Sequence, residues 1–285
     1  MKKIGILYHP KVEATYVTAQ QLEAFLASQG AHAWLCSAWE IEKAQSKLDG
    51  TELVLSVGGD GTILRAAQVV FQSKIPLTGI NLGTLGFMTE LNIDEAQDKL
   101  KELFQGKGWT DERVMLEVAL SPEGKKPSQF FHSLNDAVVA RGTIARVITV
   151  EAYIDGKYLT SYRADGVIIA TATGSTGYAL AAGGPILHPQ SKDFILVPIV
   201  PHLSLANALV LPPTSVVELK VKAVHEPFLN IDGHTNIPLQ DGATVTVKIS
   251  RHTVRFLRIH PQSTFFTTLE RKLKGKKEIE YGRKS

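Results

Sequence analysis

The 285-residue chain contains a single cysteine, Cys36, and no long apolar run. A lone cysteine cannot form an internal disulfide, which excludes a disulfide-stabilised fold and fits a reducing compartment. The longest apolar stretches, such as 194–201, are far shorter than the ~18 residues of a membrane-spanning helix. The apolar stretch 4–7 is also too short for a signal-peptide core of ~7–15 residues. These absences predict a cytoplasmic protein with no membrane partner.

Charge of one sign is also scarce, because 31 Lys and Arg stand against 28 Asp and Glu. The positive excess is concentrated at 271–285, where seven Lys or Arg accompany two Glu. A basic tail without an aromatic stacking platform is typical of a solvated segment. We therefore expect no nucleic-acid partner. The 44% apolar content is ordinary for a globular protein and excludes general disorder.

The order of apolar patterns predicts two different halves. Up to about residue 113, short apolar runs alternate with helical periodicity, which indicates βαβ units and a parallel sheet. Beyond it helical periodicity nearly disappears, which indicates an antiparallel β region. The sequence thus predicts a Rossmann-like α/β half joined to a β-rich half, with ligand sites expected between them. Strands are predicted at 3–8, 33–36, 53–57, 75–81, 114–120, 130–140, 146–154, 157–163, 166–171, 216–223, 244–249 and 251–259, and helices at 17–29, 62–71, 93–105 and 264–274.

The sharpest motif is Gly58-Gly59-Asp60-Gly61-Thr62, which follows the predicted strand 53–57 and opens a helix. Closely spaced glycines let a backbone approach a ligand and present its N–H groups, and a helix N-terminus favours phosphate. Thr62 is the predicted N-cap of that helix. Asp60 is the one ionisable group, suited to holding Mg²⁺ or accepting a proton from a hydroxyl. The alternative is an ordinary glycine-rich turn.

Two further polar segments interrupt apolar strands. Asn81 to Phe87 leaves the next strand at the same sheet edge, where it could wall the same cleft or serve only as turn geometry. Asn135 and Asp136 lie inside the stretch 130–140, where unpaired polar groups are costly to bury. An amide beside a carboxylate suits the two hydroxyls of a ribose. The alternative is a β-bulge or turn that exposes both residues.

The stretch from Arg163 to Pro185 is rich in small residues and hydroxyls and has only two charges. Such a surface leaves room for a flat ring, with Tyr178 available to stack, or else forms a small-residue helix packed on the sheet. Ser175 lacks the Gly-x-Ser-x-Gly context of a hydrolase nucleophile. The nine histidines show no metal-ligand spacing.

Together and in this order, these segments resemble the ATP-NAD kinase family over about residues 50–240. The Gly-Gly-Asp-Gly-Thr loop alone is shared with lipid kinases and phosphofructokinases, whereas the long glycine-rich segment is specific to the family. The resemblance implies an α/β domain at 1–113 that carries this loop, and a β-sandwich-like, dinucleotide-binding domain at 114–259. It also implies that residues 260–285 pack back on the first domain.

The resemblance implies that Asp60 is the catalytic aspartate and that Asn135 and Asp136 bind the ribose of the adenosine. The sequence departs from the family pattern at His234, where Gln is usual, and at Asp136, where Glu is frequent. It also departs at Ala172, where Pro is usual, and at Gly177, where Ala is usual. These departures leave the preference between NAD and NADH open. The implied NAD- and nucleotide-binding residues are Gly58, Gly59, Asp60, Gly61, Thr62, Phe87, Asn135, Asp136, Arg146, Arg163, Asp165, Thr173, Ser175, Thr176, Gly177, Tyr178, Ala179, Leu180, Ala181 and His234.

The function implied by the resemblance is an NAD kinase, a phosphotransferase with an alcohol group as acceptor. ATP, or alternatively another nucleoside triphosphate or polyphosphate, would phosphorylate the 2′-hydroxyl of the adenosine ribose of NAD with Mg²⁺ or another divalent cation, giving NADP. The resemblance also implies a homo-oligomer, with a tetramer favoured over a dimer, in which Asp165 reaches a neighbour's dinucleotide. A lipid or sugar kinase would not explain the 163–185 segment, and a non-catalytic dinucleotide sensor would leave Asp60 idle.

Overall fold

The computed structural model describes residues 2–83, 86–142, 147–202, 206–222 and 226–281. No helix within these ranges is long and apolar enough to cross a membrane. The chain forms two compact units, one of Met1–Asp111 with Val254–Ser285 and one of Glu112–Thr253. The elements in chain order are β1 Lys3–Tyr8, α1 Glu13–Ser28, β2 His32–Ser37, α2 Ile41–Gln45, β3 Leu53–Val57, α3 Asp60–Val70, β4 Leu77–Asn81, β5 Leu91–Asn92, α4 Ile93–Phe104, β6 Trp109–Ser121, β7 Gln129–Ser133, β8 Asp136–Ala140, β9 Ile148–Ile154, β10 Lys157–Ala164, β11 Gly166–Thr171, α5 Tyr178–Ala181, β12 Phe194–Ile199, β13 Leu209–Leu211, β14 Val216–Lys222, β15 Phe228–Ile231, β16 Thr235–Pro238, β17 Thr244–Arg258 and α6 Thr264–Tyr281.

The first unit is built on a parallel sheet with the strand order β17-β4-β3-β1-β2 and with β5 beside β4. Only the last residues of β17 take part, through Phe256 opposite Leu77. All five residues of β3 are buried, as expected for a strand covered on both faces. Helix α1 packs Leu22 and Leu26 into the same core. The predicted α/β half is confirmed.

The second unit is antiparallel and has two sheets. One contains the strand order β10-β9-β14-β17, and β6 pairs with β7; the other has the order β13-β12-β11-β8-β15-β16. Val167 and Ile169 on β11 belong to the core shared by both sheets, whereas Ile168 and Ala170 belong to a second cluster with Ala179 of α5. The four apolar residues 167–170 of β11 thus alternate between these two cores. The predicted β-rich half is confirmed.

Three of the predicted strands are wrong. The stretch 130–140 is not one strand, because β7 pairs with β6 in one sheet whereas β8 pairs with β11 and β15 in the other. The bend at 134–135, between β7 and β8, is where the chain changes sheets. Conversely, 244–249 and 251–259 form the single strand β17 through Ser250, which is buried. The helix α2 and the short strands β5, β13 and β16 have too few residues to show periodicity.

Tyr162 on β10 offers a test of the core shared by the two sheets of the second unit. Its side chain is fully buried, and its hydroxyl has no hydrogen-bond partner among the residues that the structure describes. Burial raises the pKa of Tyr162 to about 12. Because a buried polar group without a partner costs ~1–3 kcal/mol, we expect Tyr162→Phe to raise the free energy of unfolding by about 1 kcal/mol in urea titrations. The control Tyr158→Phe, at an exposed ring, should change little. A loss of stability in Tyr162→Phe would contradict this account.

Candidate functional site

The Gly58–Thr62 loop joins β3 to α3 at the carboxyl edge of the parallel sheet. From this edge β1 leads to β2 on one side of the sheet, whereas β3 leads to β4 on the other. The loop after β3 therefore lies where the direction of the strand order reverses. Ligands of open α/β sheets bind in the crevice at such a switch point, so the topology favours this loop as a ligand site.

Helix α3 begins at Asp60, two residues earlier than predicted, and the assignment of Thr62 as N-cap is wrong. Gly59 is the N-cap, and its carbonyl accepts from the N–H groups of Thr62 at 2.9 Å and Ile63 at 3.3 Å. The Thr62 side chain is buried beneath Gly58 instead of lying at the helix end. The helix therefore opens with Asp60 and Gly61 at its first positions, where backbone N–H groups lack helical acceptors.

Glycine occupies three positions of this loop for different structural reasons. Gly58 has a φ of +150°, and a Cβ there would collide with the Thr62 side chain, so the chain itself requires glycine. A Cβ at Gly59 or Gly61 would meet no atom within 4 Å. Both of these glycines are exposed. The space beside them is therefore open to a ligand that approaches the backbone.

The carboxylate of Asp60 is bound by a second loop. The Phe87 N–H donates to Asp60 Oδ2 at 2.9 Å, and the Met88 N–H donates to Oδ1 at 3.1 Å. Gly86 lies against the same carboxylate so closely that an added Cβ would collide with it. Each oxygen has one backbone donor and retains a lone pair for a further hydrogen bond. The 81–87 segment thus contributes the backbone N–H of Phe87, and the next residue, Met88, contributes the second N–H group.

The Phe87 ring points away from these hydrogen bonds, toward the C-terminal helix. Its centroid lies 6.5 Å from that of Phe265, and Lys272 Nζ lies 5.8 Å from it. The predicted nucleotide-binding residue Phe87 is therefore half-buried against α6. Thr84 and Leu85 of the same segment lie outside the described residues.

A second group of predicted site residues gathers at one edge of the β8-containing sheet. Strand β8 starts at Asp136, and its antiparallel neighbours β11 and β15 end there, at Thr171 and Ile231. Because these strands are antiparallel, the start of β8 and the ends of its neighbours meet at the same edge. This arrangement brings Asn135 and Asp136 close to the 171–178 segment and to Asp232.

Asp232 holds the backbone around Asn135. It is buried and accepts hydrogen bonds from the Ser133 hydroxyl at 2.6 Å and from the N–H groups of Leu134 at 3.0 Å, Asn135 at 2.7 Å and Asp136 at 3.2 Å. Asp232 itself has a left-handed backbone (φ +51°) in the hairpin turn between β15 and β16. An Asp-Gly pair with positive φ is the type of turn that such hairpins favour. One buried carboxylate thus fixes the four residues 133–136, where the chain passes from β7 to β8.

The other side of this backbone is held by the segment after β11. The Thr171 N–H donates to the Asn135 carbonyl at 2.9 Å, and the Thr171 hydroxyl donates to the Leu134 carbonyl at 2.6 Å. Gly174 approaches Asn135 so closely that a Cβ would collide with its backbone. Asn135 Oδ1 is buried and has no hydrogen-bond partner among the described residues. This amide oxygen can accept a hydrogen bond from a ligand.

Asp136 and Asp232 both lie at this edge of the sheet, and burial raises the pKa of both carboxyl groups. Desolvation, followed by repulsion from Asp232, raises the pKa of Asp136 to about 7. Desolvation also raises the pKa of Asp232, against the lowering effect of the hydrogen bonds from residues 133–136. Near neutral pH Asp136 can therefore carry a proton and donate as well as accept a hydrogen bond. The β-bulge alternative, in which both polar residues are exposed, is wrong for Asp136, which is buried.

The predicted segment 173–181 forms a 3₁₀ turn at Gly174–Thr176 followed by the short helix α5. Thr173 and Ala179 are buried, Thr176 and Leu180 are half-buried, and Gly177, Tyr178 and Ala181 are exposed. The hydroxyl of Ser175 is buried, donates to the Ala172 carbonyl and accepts from the Leu187 N–H. Ser175 thus supports the turn with both of its hydrogen bonds. His234 is half-buried in the turn after Asp232.

Arg163 and Asp165 are not gathered at this edge. Asp165 precedes the first residue of β11, whereas the 171–178 segment follows its last. At ~3.3 Å per residue, these ends are roughly 17 Å apart along the strand. Asp165 forms a two-point ion pair with Arg141, with Arg141 Nε 2.7 Å from Oδ1 and Nη2 3.1 Å from Oδ2. Arg163 is exposed. Arg146 lies outside the described residues.

Two family models match this chain. Residues 4–108 match the model of the ATP-NAD kinase N-terminal domain, and residues 134–259 match that of the ATP-NAD kinase C-terminal domain. The chain belongs to the ATP-NAD kinase family. The resemblance stated from the motifs is confirmed.

Known NAD kinase sequences and solved structures are similar to this chain over most of its length. An NAD kinase of Dehalococcoides mccartyi is 47% identical over 282 residues, which is 99% of each chain, and one of Chloroflexus aurantiacus is 37% identical over 274 residues, 96% of this chain and 99% of that one. The yeast NADH kinase complexed with NADH has a TM-score of 0.85 at 25% identity, covering 97% of this chain and 88% of that one. An NAD kinase from Archaeoglobus fulgidus in complex with ATP has a TM-score of 0.74 at 25% identity, covering 94% and 98%.

The residues that hold the two groups in place could not be predicted from the sequence. Asp232 had one sequence signal, an Asp-Gly pair after the strand-like stretch 228–231, but nothing connected it to residues 133–136. The backbone donors of Phe87 and Met88 had none, because any residue supplies an N–H group.

The raised pKa of Asp136 predicts how the free energy of unfolding depends on pH. The folded chain keeps this proton up to about pH 7, whereas the unfolded chain releases it near the ordinary value of 3.8. The contribution of Asp136 to stability is therefore fully present below pH 3.8 and is lost as the pH rises to about 7. At ~1.4 kcal/mol per pKa unit, we expect Asp136→Asn to raise the free energy of unfolding at pH 8 by a few kcal/mol relative to the native chain.

Urea titrations at pH 5 and pH 8 measure this effect. The difference between Asp136→Asn and the native chain should be larger at pH 8, whereas Asp98→Asn on the exposed face of α4 should show no such change. A pH-independent difference for Asp136→Asn would contradict the assignment of the proton.

Proposed function

We propose that this protein is an NAD kinase that transfers the terminal phosphoryl group of ATP to the 2′-hydroxyl of the adenosine ribose of NAD, giving NADP. The observation that carries the proposal is the Asp60 carboxylate, which two backbone N–H groups fix beside an open glycine loop at the switch point of the sheet. Near full-length similarity to NAD kinases at 37–47% identity supports the same activity.

In the proposed reaction Asp60 is the general base. One of its oxygens accepts the proton of the 2′-hydroxyl while the ribose oxygen bonds to the terminal phosphorus and the bond from this phosphorus to the ADP oxygen breaks. Phosphoryl transfer depends chiefly on position and on neutralised charge, and a carboxylate that is already held needs no rearrangement to act. The Phe87 and Met88 N–H groups restrict it to one orientation.

The phosphates of ATP would lie over Gly58–Thr62. The open space beside Gly59 and Gly61 admits them, and the start of α3 presents N–H groups and positive dipole to them. Within the described ranges no group of three or more His, Cys, Asp or Glu could hold a metal ion. The single Asp60 carboxylate beside the glycine loop fits Mg²⁺, which is usually held by one or two carboxylates together with substrate phosphates. When bound, the cation would neutralise phosphate charge, and Asp60 is the side chain we propose to face it.

The adenosine ribose of NAD would be bound by Asn135 and Asp136. The unpartnered Oδ1 of Asn135 can accept from one hydroxyl, and Asp136, with its raised pKa, can both accept and donate. Asp232 keeps this pair in place. The further dinucleotide contacts that we propose are those of Phe87, Arg146, Arg163, Thr173, Ser175, Thr176, Gly177, Tyr178, Ala179, Leu180, Ala181 and His234.

We further propose a homo-oligomer in the cytoplasm, with a tetramer favoured over a dimer, in which Asp165 contacts the dinucleotide of a neighbouring subunit. The position of Asp165 at the end of β11 remote from Asn135 supports a role toward another chain. For the domain roles, we propose that residues 1–113 carry the phosphate loop, that 114–259 bind the dinucleotide, and that 260–285 complete the first domain.

Asp60→Asn tests the reaction. The variant keeps the shape of the side chain but removes the base, so the turnover of NAD to NADP with ATP and Mg²⁺ should fall by about 10²–10⁴-fold. Calorimetry should show nearly unchanged NAD affinity. The matched control is Asp94→Asn, which makes the same change in the first turn of α4 and should keep native turnover. Native turnover in Asp60→Asn would remove Asp60 from the chemistry, and no NADP from the native chain would reject the function.

Subunit complementation tests the shared site. Asp60→Asn and Asp165→Asn should each have low activity alone, because every site would lack one of the two carboxylates. When the two variants are coexpressed, a mixed symmetric dimer would contain one site with both carboxylates, so activity should rise above the sum of the separate variants. No gain on mixing, or a fully active monomer of 31.1 kDa by light scattering, would contradict a shared site.

A further inference from the structure

A buried arginine, Arg258 at the end of β17, binds the loop that holds Asp60. Arg258 Nη1 donates to the Met88 carbonyl at 2.8 Å. The N–H group of the same Met88 is one of the two that bind the Asp60 carboxylate. A single residue thus connects the guanidinium of Arg258 to Asp60, although Arg258 does not touch Asp60 in any hydrogen bond described above.

Arg258 also forms buried ion pairs, one of them with Glu90 at the end of this loop. Its Nη1 lies 3.1 Å from Glu90 Oε2, and its Nε lies 3.3 Å from Asp111 Oδ2. The three side chains are between 2% and 7% exposed. Glu90 Oε1 in turn accepts from the N–H groups of Ile259 at 2.8 Å and His260 at 2.7 Å. The loop 86–90 is therefore bound at Met88 and at Glu90 by the segment 258–260.

A buried ion pair is a weak source of stability, because the desolvation of its charges offsets much of their attraction. An apolar contact could join β17 to this loop as well. The planar fork of arginine, however, reaches three acceptors at once, and one of them is the backbone carbonyl next to the Asp60 contact. Lysine has a single nitrogen and could not serve all three in this geometry.

We propose that Arg258 is a positioning residue, which fixes Met88 and thereby keeps the Asp60 carboxylate oriented for the reaction. The inference rests on the proposed function, since Asp60 is its base there. It assigns a role in catalysis to a side chain 198 positions away in the chain, on the C-terminal strand of the first unit.

Arg258→Lys tests the proposal because it retains the buried charge and removes the fork. Displacement of a reacting group by ~1 Å can cost about 10²-fold, so we expect kcat to fall by about 10–100-fold while the KM values for NAD and ATP stay near native. In the Asp60→Asn background the same substitution should have no further effect on kcat, because both changes act on one group.

Thr78→Val is the matched control. The Thr78 hydroxyl donates to the Leu257 carbonyl at 2.9 Å, so the variant weakens the attachment of β17 next to Arg258 without touching the loop 86–90. We expect it to lower the melting temperature while native kcat remains. If Thr78→Val lowers kcat as much as Arg258→Lys does, or if Arg258→Lys has native kcat, the positioning role is overturned.

Hydrogen exchange measures the position of the loop without any activity. In Arg258→Lys the amides of Phe87 and Met88 should exchange faster than in the native chain, while the amides of β3 should be unchanged. Unchanged exchange at Phe87 and Met88 would overturn the proposal even if the native chain makes NADP. Absence of NADP from the native chain would reject the proposed function, and the exchange result would then still report on Arg258.

A second variant covers failure of Arg258→Lys to fold. Arg258→Met combined with Glu90→Gln and Asp111→Asn removes all three charges together, so no buried charge is left unpaired. The same fall in kcat and the same faster exchange at Phe87 and Met88 are expected, and native values of either would overturn the proposal.

Discussion

The two hydrogen bonds from the Phe87 and Met88 amides to Asp60 are the interaction on which the first unit's site depends. They connect a helix start to a loop 27 and 28 residues further along the chain. Without them the carboxylate at the first position of α3 could turn into solvent. Gly86 belongs to the same constraint, because only a residue without a side chain leaves room for the carboxylate.

In the second unit a buried carboxylate, that of Asp232, holds a segment of backbone in place. Asp60 is a side chain held by backbone N–H groups, whereas Asp232 is a side chain that holds a backbone. A buried carboxylate has several acceptor sites and is costly to bury unless they are filled. The N–H groups of residues 134–136 fill them where the chain leaves one sheet and enters the other. The sheet change and the anchoring carboxylate therefore occur at the same place.

The described residues also separate glycines that the fold needs from glycines that leave space. Gly58 and Gly174 lie against neighbouring atoms, and a side chain there would force the backbone apart. Gly59 and Gly61 have no such neighbours. Because they lack a side chain, a ligand can approach the backbone of the loop there. In the sequence these residues look alike, because the motif records the residue type and not what surrounds it.

The sequence by itself determined the two halves of the fold, since apolar periods of the helix and the strand are local properties that do not depend on distant residues. It also determined the Gly-Gly-Asp-Gly-Thr loop, the Asn135-Asp136 pair and the small-residue segment, since each is a run of adjacent residues. Only the tertiary structure decided what holds them. Asp232 lies 98 residues from Leu134, and Arg258 lies 170 residues from Met88. Such contacts arise from strand order and sheet register, which bring together residues that no spacing along the chain connects.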